Sequence, residues 1–199
     1  MLEKVNKKIY YHINTGTKLN VGNVLNIGDR YNNFYYEIYD SEYLLEEKDA
    51  NEILINKRKN KDYTISDIEE FKLVYETINN SAMITRELIF EEVRKETDSN
   101  LPSRLKCLYV CNSLEEIEEW LNIFKRTNKK DYQILELELT GKVFTGDASY
   151  ILRQNISLNK KREQAREYWN GNKINNHNES LFEGEATVKK IINLKNAEI

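Results

Sequence analysis

The chain is poor in the residues that build metal centres and covalent cross-links. Two cysteines and two histidines occur in 199 residues. Cys107 and Cys111 lie four apart, one in a strand-like run and one at its end, where their side chains share a face but stand too far apart to bridge. They read as reduced thiols. With His12 and His177 as the only histidines, no structural zinc spacing is present and no metal is expected. No apolar run approaches the ~20 residues of a membrane span, and the first eight residues contain no apolar signal core. A cytoplasmic protein away from the membrane is therefore expected. An excess of one charge is also missing: 30 basic against 33 acidic residues leave a formal charge of −3, which provides no chain-wide basic field for nucleic acid. A phosphate loop, Gly-x-Ser-x-Gly, Gly-x-Gly-x-x-Gly and internal repeats are all absent, which removes the common nucleotide and hydrolase motifs and the repeat folds.

What is present is the mix of a soluble folded protein, with 40% hydrophobic residues, 32% charged residues and thirteen tyrosines. A chain of this length buries about two-thirds or more of its unfolded surface as one domain, so residues 1–199 are read as a single unit. Its centre is the stretch from Pro102 to Leu121. Leu105, Cys107 and Tyr109 alternate with Lys106, Leu108 and Val110, as in a short strand closed by Asn112-Ser113. Ser113 and Glu116 then form a capping box, and Leu114, Ile117, Trp120, Leu121 and Phe124 recur at helical spacing, which puts Trp120 on the apolar stripe.

Around this centre, residues 8–14 alternate as a first strand that places His12 opposite the more aliphatic side, and residues 19–28 read as short extended pieces punctuated by Gly22 and Gly28. Residues 29–41 are aromatic-rich without a clear period and remain unassigned. A helix is expected from 42 to about 57, ending in the basic run 57–61. A second starts at the Ser66/Glu69 capping box and carries Ile68, Phe71, Tyr75 and Ile78 on one stripe. Asn79-Asn80-Ser81 is expected to end it, and a further helix to turn Leu88, Ile89 and Val93 inward before a stop at 98–102. After a turn at 127–131, residues 132–139 alternate as a half-buried strand, and 142–144 form a short extended arm. A helix over 158–169 turns Ala165, Tyr168 and Trp169 to the core and stops at Gly171. The last strand follows a polar loop and places Phe182, Ala186, Val188, Ile192 and Leu194 on one parity. Strands at both ends with helices between them give an α+β class with an antiparallel or mixed sheet.

Three separated segments carry a resemblance. Tyr11-His12-Ile13-Asn14-Thr15-Gly16 resembles the first-strand histidine segment of ADP-ribosyltransferase-like proteins, including the Tyr-His-Gly-Thr of rifampin ADP-ribosyltransferases. Leu108-Tyr109-Val110, with Trp120 after the helix start, resembles the Ile-Tyr-Phe strand and trailing aromatic of poly(ADP-ribose) polymerases. Asn178-Glu179-Ser180-Leu181-Phe182 is similar to the Asn-Glu-Tyr-Ile-Val strand that bears their catalytic glutamate. Pro102-Ser-Arg-Leu105 and Ala165-Arg-Glu-Tyr-Trp-Asn-Gly171 are similar to segments of a bacterial branch of the group. The first strand departs from the group in having Ile13-Asn14 where Gly-Ser or Gly-Thr often follows the histidine.

The resemblance implies an ADP-ribosyltransferase-like split sheet with a helical insertion at about 42–98. It also implies NAD as substrate, cleavage of the nicotinamide–ribose bond, and transfer of ADP-ribose to an acceptor that could be protein, nucleic acid, a small molecule or water. Glu179 would be the catalytic anion beside an oxocarbenium-like state. His12 would hold the adenosine ribose, Tyr109 would stack on nicotinamide with Trp120 nearby, and Arg104 would pair with the pyrophosphate. Glu183 and Glu185 share the parity of Glu179 and are its alternatives as the active carboxylate. A catalytically inactive relative that binds a nucleotide or a partner is the other reading.

Overall fold

The computed structural model describes residues 1–40, 44–45, 48–59, 67–125, 132–152, 156–175 and 177–192. The class is α+β. Strands β1 (Leu2–Asn14), β6 (Gln133–Asp147) and β7 (Asn178–Ile192) are long and pair antiparallel in the order β1-β6-β7. The far edge of β7 is shared by two short strands, β2 (Val24–Ile27) along residues 184–187 and β5 (Leu108–Val110) along residues 180–182. Tyr11 and Cys111 exchange backbone hydrogen bonds of 2.9 and 2.8 Å, which draws the exit of β5 back to β1 and curls the sheet. A separate two-stranded ladder joins β3 (Leu44–Leu45) and β4 (Lys48–Asp49). The helices are α1 (Asn33–Tyr39), α2 (Ala50–Lys59), α3 (Asp67–Thr97), α4 (Leu114–Lys125) and α5 (Leu158–Trp169).

Side-chain alternation gives the curled sheet two different faces. On one, Tyr10, Val110, Leu135, Leu137, Leu139, Val143, Phe182 and Val188 pack on each other, so this core is made by strands alone. On the other, Phe144 and Leu181 lie under α3 and α5 with Phe90, Val93, Ala165, Tyr168 and Trp169. The Trp169 indole donates to the Phe90 carbonyl at 2.7 Å and ties the two helices together. A third cluster sets Ile117 and Leu121 of α4 on Tyr11, Ile13, Cys111 and Ile134.

Two glycine contacts shape this frame. Gly141 and Gly184 face each other across β6 and β7 at φ 157° and 137°, and a Cβ on either would meet a carbonyl oxygen of the opposite strand at 2.2 or 2.4 Å. Only glycine allows the long strands to cross so closely. Gly146 lies against the Tyr168 ring, which a Cβ would meet at 2.4 Å.

Several expectations change. The helices expected on either side of residues 79–81 form one 31-residue helix, because Asn and Ser lower helix propensity only modestly and neither Gly nor Pro is present to break it. On that helix Glu87 points inward and Leu88 outward. The Ile68/Phe71/Tyr75/Ile78 stripe is exposed, from 82% at Ile68 to 54% at Ile78: periodicity identifies a face without saying what covers it. Residues 103–107 form a turn, with the Lys106 and Cys107 amides donating to the Ser103 carbonyl, so β5 starts only at Leu108. The arm at 142–144 continues β6. The 29–41 stretch contains α1, capped by Asn32. The Ser113/Glu116 box forms with one change, since the Glu116 carboxylate accepts from the Asn112 amide at 2.8 Å. The Ser66 cap, the 127–131 turn and Leu194 lie outside the described residues. Among the described residues no helix is long and apolar enough to cross a membrane.

Candidate functional site

Two carboxylate pairs face each other across the turn at 103–107. Glu87 and Glu91 are one turn apart on α3, and Glu179 and Glu183 are four apart on β7, so each pair occupies one face of its element. Ser103 and Arg104, adjacent in the chain, bridge them separately.

Arg104 makes the inner bridge. Its Nε and Nη2 donate to Glu87 at 2.8 and 3.2 Å, and its Nη1 donates to Glu179. The Tyr168 hydroxyl donates to the same Glu179 oxygen at 2.6 Å. That hydroxyl reaches Glu179 because its ring rests on Gly146, the residue paired with Glu179 in the sheet. Arg86 adds a 2.6 Å bond to Glu87 and another to the Ile151 carbonyl. Glu87, Arg104 and Glu179 are 1%, 4% and 6% exposed, so the whole bridge is dry. Burial alone would raise the Glu87 carboxyl, but Arg104 and Arg86 outweigh it and hold Glu87 below the usual carboxylate range. Burial opposes the charge on Arg104 too, yet Glu179 and Glu87 keep it protonated well above its ordinary value. Burial and the Glu179 charge push the Tyr168 hydroxyl well up, so it acts here as a donor.

Ser103 makes the outer bridge. Its amide donates to Glu183 at 2.9 Å and its hydroxyl to Glu91 at 3.0 Å. Arg94 holds Glu91 through two bonds of 2.8 and 2.9 Å and spends its remaining reach on the Ser99 and Leu101 carbonyls. Lys142 pairs with Glu183 at 3.0 Å. This bridge forms the floor of a cavity of about 420 Å³. One wall is a ladder of tyrosines, with Tyr31 on Tyr35 at 3.7 Å and Tyr35 on Tyr39 at 4.4 Å between centroids. The Lys106 ammonium caps the ladder, 4.9 Å from the Tyr31 ring. Asn32 fixes the ladder to the turn: its side-chain amide donates to the Arg104 and Cys107 carbonyls while its oxygen caps α1. Among the lining side chains Arg94, Lys95 and Lys106 outnumber Glu91 and Glu183, so the hollow is weakly cationic.

The five residues singled out in the sequence are distributed as follows. Arg104 and Glu179 touch. The Tyr109 ring centre is 5.8 Å from the Arg104 guanidinium carbon, and its hydroxyl donates to the Arg104 carbonyl at 3.1 Å. Among the described residues His12 is bonded to the Tyr109 backbone: Nδ1 donates to that carbonyl at 2.8 Å, since a carbonyl can only accept. His12 pairs with Leu135 on the strand-only face, whereas Glu179 lies on the face under α5, so the sheet separates them. Trp120 belongs to the α4 cluster, with its ring 5.0 Å from that of His177. None of the five lines the cavity. Of the alternative carboxylates, Glu183 lines it and Glu185 is exposed on β7. Among the described residues no three histidine, cysteine or acidic side chains gather as a metal site.

Sequence reasoning passed over Glu87, Glu91, Ser103 and the tyrosine ladder. The signals available were three tyrosines at a spacing of four (31, 35, 39) and two Glu pairs at the same spacing. No curated protein matches this sequence. A family model matches residues 10–194, a span that includes both bridges and the whole ladder, and the chain belongs to that family, described as a protein of unknown function (DUF2441).

Proposed function

We propose that this is a cytoplasmic nucleotide-binding protein of ADP-ribosyltransferase-like fold, which takes NAD or its ADP-ribose portion into the hollow between α1, α3 and the 103–107 turn. The observation that carries this reading is the pairing, in one cavity of about 420 Å³, of a stacked tyrosine wall with a rim of lysines. A volume of this order suits a ligand of nucleotide size. Tyr39, half exposed at the end of the ladder, offers a base or nicotinamide ring a stacking face, and Lys95 and Lys106 suit phosphate oxygens. The Glu183 carboxylate can only accept hydrogen bonds, which suits a ribose hydroxyl.

A second reading, transfer of ADP-ribose, is favoured by the position of Glu183. It is the acidic residue of β7 that faces the hollow, while Glu179 is held by Arg104 and Tyr168. In that reaction the nicotinamide–ribose bond breaks, nicotinamide leaves with the bonding pair, and an acceptor atom joins the ribose carbon as it loses its proton to water. The test is nicotinamide release from NAD by purified protein. Release abolished by Glu183→Gln and retained by Glu185→Gln, the exposed carboxylate two residues further along β7, makes the protein a transferase or hydrolase acting through Glu183. Binding without release leaves the nucleotide-binding reading alone.

A further inference from the structure

Resting on the reading of the hollow as a nucleotide site, we infer that Arg104 and Glu179 are its positioning residues: their buried bridge holds the Ser103 amide and hydroxyl where they fix Glu183 and Glu91 on the cavity floor. Neither Arg104 nor Glu179 touches the cavity. The Ser103 amide does touch a lining carboxylate, at 2.9 Å, and its hydroxyl touches the other, at 3.0 Å. One planar peptide and two soft dihedrals, ψ of Ser103 and φ of Arg104, separate the two bridges, so a displacement of Arg104 is passed to Ser103 across about 3.8 Å of backbone. Arg104 is anchored to α3 through Glu87 and to β7 through Glu179 by charge-assisted bonds in a dry setting, and Ser103 spans the same two elements one residue earlier. The Arg104 carbonyl is itself held, by the Tyr109 hydroxyl at 3.1 Å and the Asn32 amide at 2.9 Å, and Asn32 caps the helix of the tyrosine ladder. Floor and wall are thus referenced to one residue.

Glu179 and Glu183 are four strand residues apart, about 13 Å, a distance at which unconnected substitutions add. Connection through Ser103 makes them non-additive. The experiment uses the full chain with Glu179→Gln, Glu183→Gln, the double variant and Tyr168→Phe, all compared where circular dichroism shows them folded. The first readout is hydrogen exchange at the Ser103 amide, which requires no ligand. Glu179→Gln is expected to speed it tenfold or more while the amide of Leu137, deep in the strand core, keeps its wild-type rate, and Tyr168→Phe, the milder change, is expected to shift it the same way. The second readout is ADP-ribose affinity by calorimetry. Glu179→Gln is expected to weaken it at least fivefold in the wild-type background and by a clearly smaller factor once Glu183 is Gln, the remainder passing through Glu91 and the tyrosine wall. Unchanged Ser103 exchange, or effects that multiply in the double variant, would overturn the inference. Wild-type protein that fails to bind ADP-ribose, with Ser103 exchange still responding to Glu179→Gln, would remove the nucleotide reading and leave the positioning intact.

Discussion

Arg104 is a buried cation shared between two carboxylates, and such groups are far more costly to orphan than to remove together. Truncating it to Leu leaves Glu179 in a dry pocket with the Tyr168 hydroxyl donating to it and without the cation opposite. A loss of about 3–5 kcal/mol is expected, measured by urea denaturation at pH 7. His12 gives the second residue-scale prediction. Burial lowers its imidazole to about 4, against the opposing effect of its bond to the Tyr109 carbonyl. Between that value and the ordinary ~6.5, the unfolded chain binds a proton that the folded chain does not, so stability falls as pH drops through this window. Up to about 3 kcal/mol is at stake by linkage, and less for a ring that is only half-buried. Denaturation of wild type and His12→Asn at pH 7 and pH 4 should show the smaller acid loss in the variant. Glu87 acts in the same direction lower down: its folded carboxyl titrates below the unfolded one, so its contribution holds above pH ~4.5 and fades as the pH falls through the folded value. At this scale the sequence was only partly informative. Arg104 and Glu179 stood out from their flanking residues, but their being partners did not, since contact across 75 residues leaves no local pattern.

At the scale of elements, local signals worked where local physics decides. The Ser113 cap, the Gly171 stop of α5 and the alternation of residues 133–139 all reflect interactions within a few residues of chain. They failed where the deciding partner was distant: the 103–107 turn is held by Asn32, Glu91 and Glu183, and nothing in its own residues forbids a strand. The continuous α3 gives a direct check. Ser81 is exposed in mid-helix, so Ser81→Ala should raise stability by about 0.5 kcal/mol and Ser81→Pro should lower it by about 3 kcal/mol or more, read from thermal melts. A break at residues 79–81 would make the proline harmless. Gly146→Ala tests the seat of Tyr168. The added methyl would intrude on the ring at 2.4 Å and force it off Glu179, with an expected cost of about 1–3 kcal/mol.

For the whole molecule, the α+β class followed from strands at both ends with helices between, whereas the candidate site did not follow. The resemblance pointed to His12, Tyr109 and Glu179 in chain order, and the curled sheet sends His12 and Glu179 to opposite faces. A strand has two faces, so correct strand assignments still leave convergence undetermined. The hollow depends on α1, in a stretch where Phe34 and Tyr36 mask the four-residue spacing of Tyr31, Tyr35 and Tyr39, and on a turn fastened from three directions. The most direct measurement is calorimetric titration of NAD and of ADP-ribose into wild type and Lys106→Glu. The expected result is saturable binding by wild type that weakens at least tenfold on reversing the charge at the ladder's cap. No heat with wild type, or equal affinity in both proteins, would contradict nucleotide binding in the tyrosine-walled hollow.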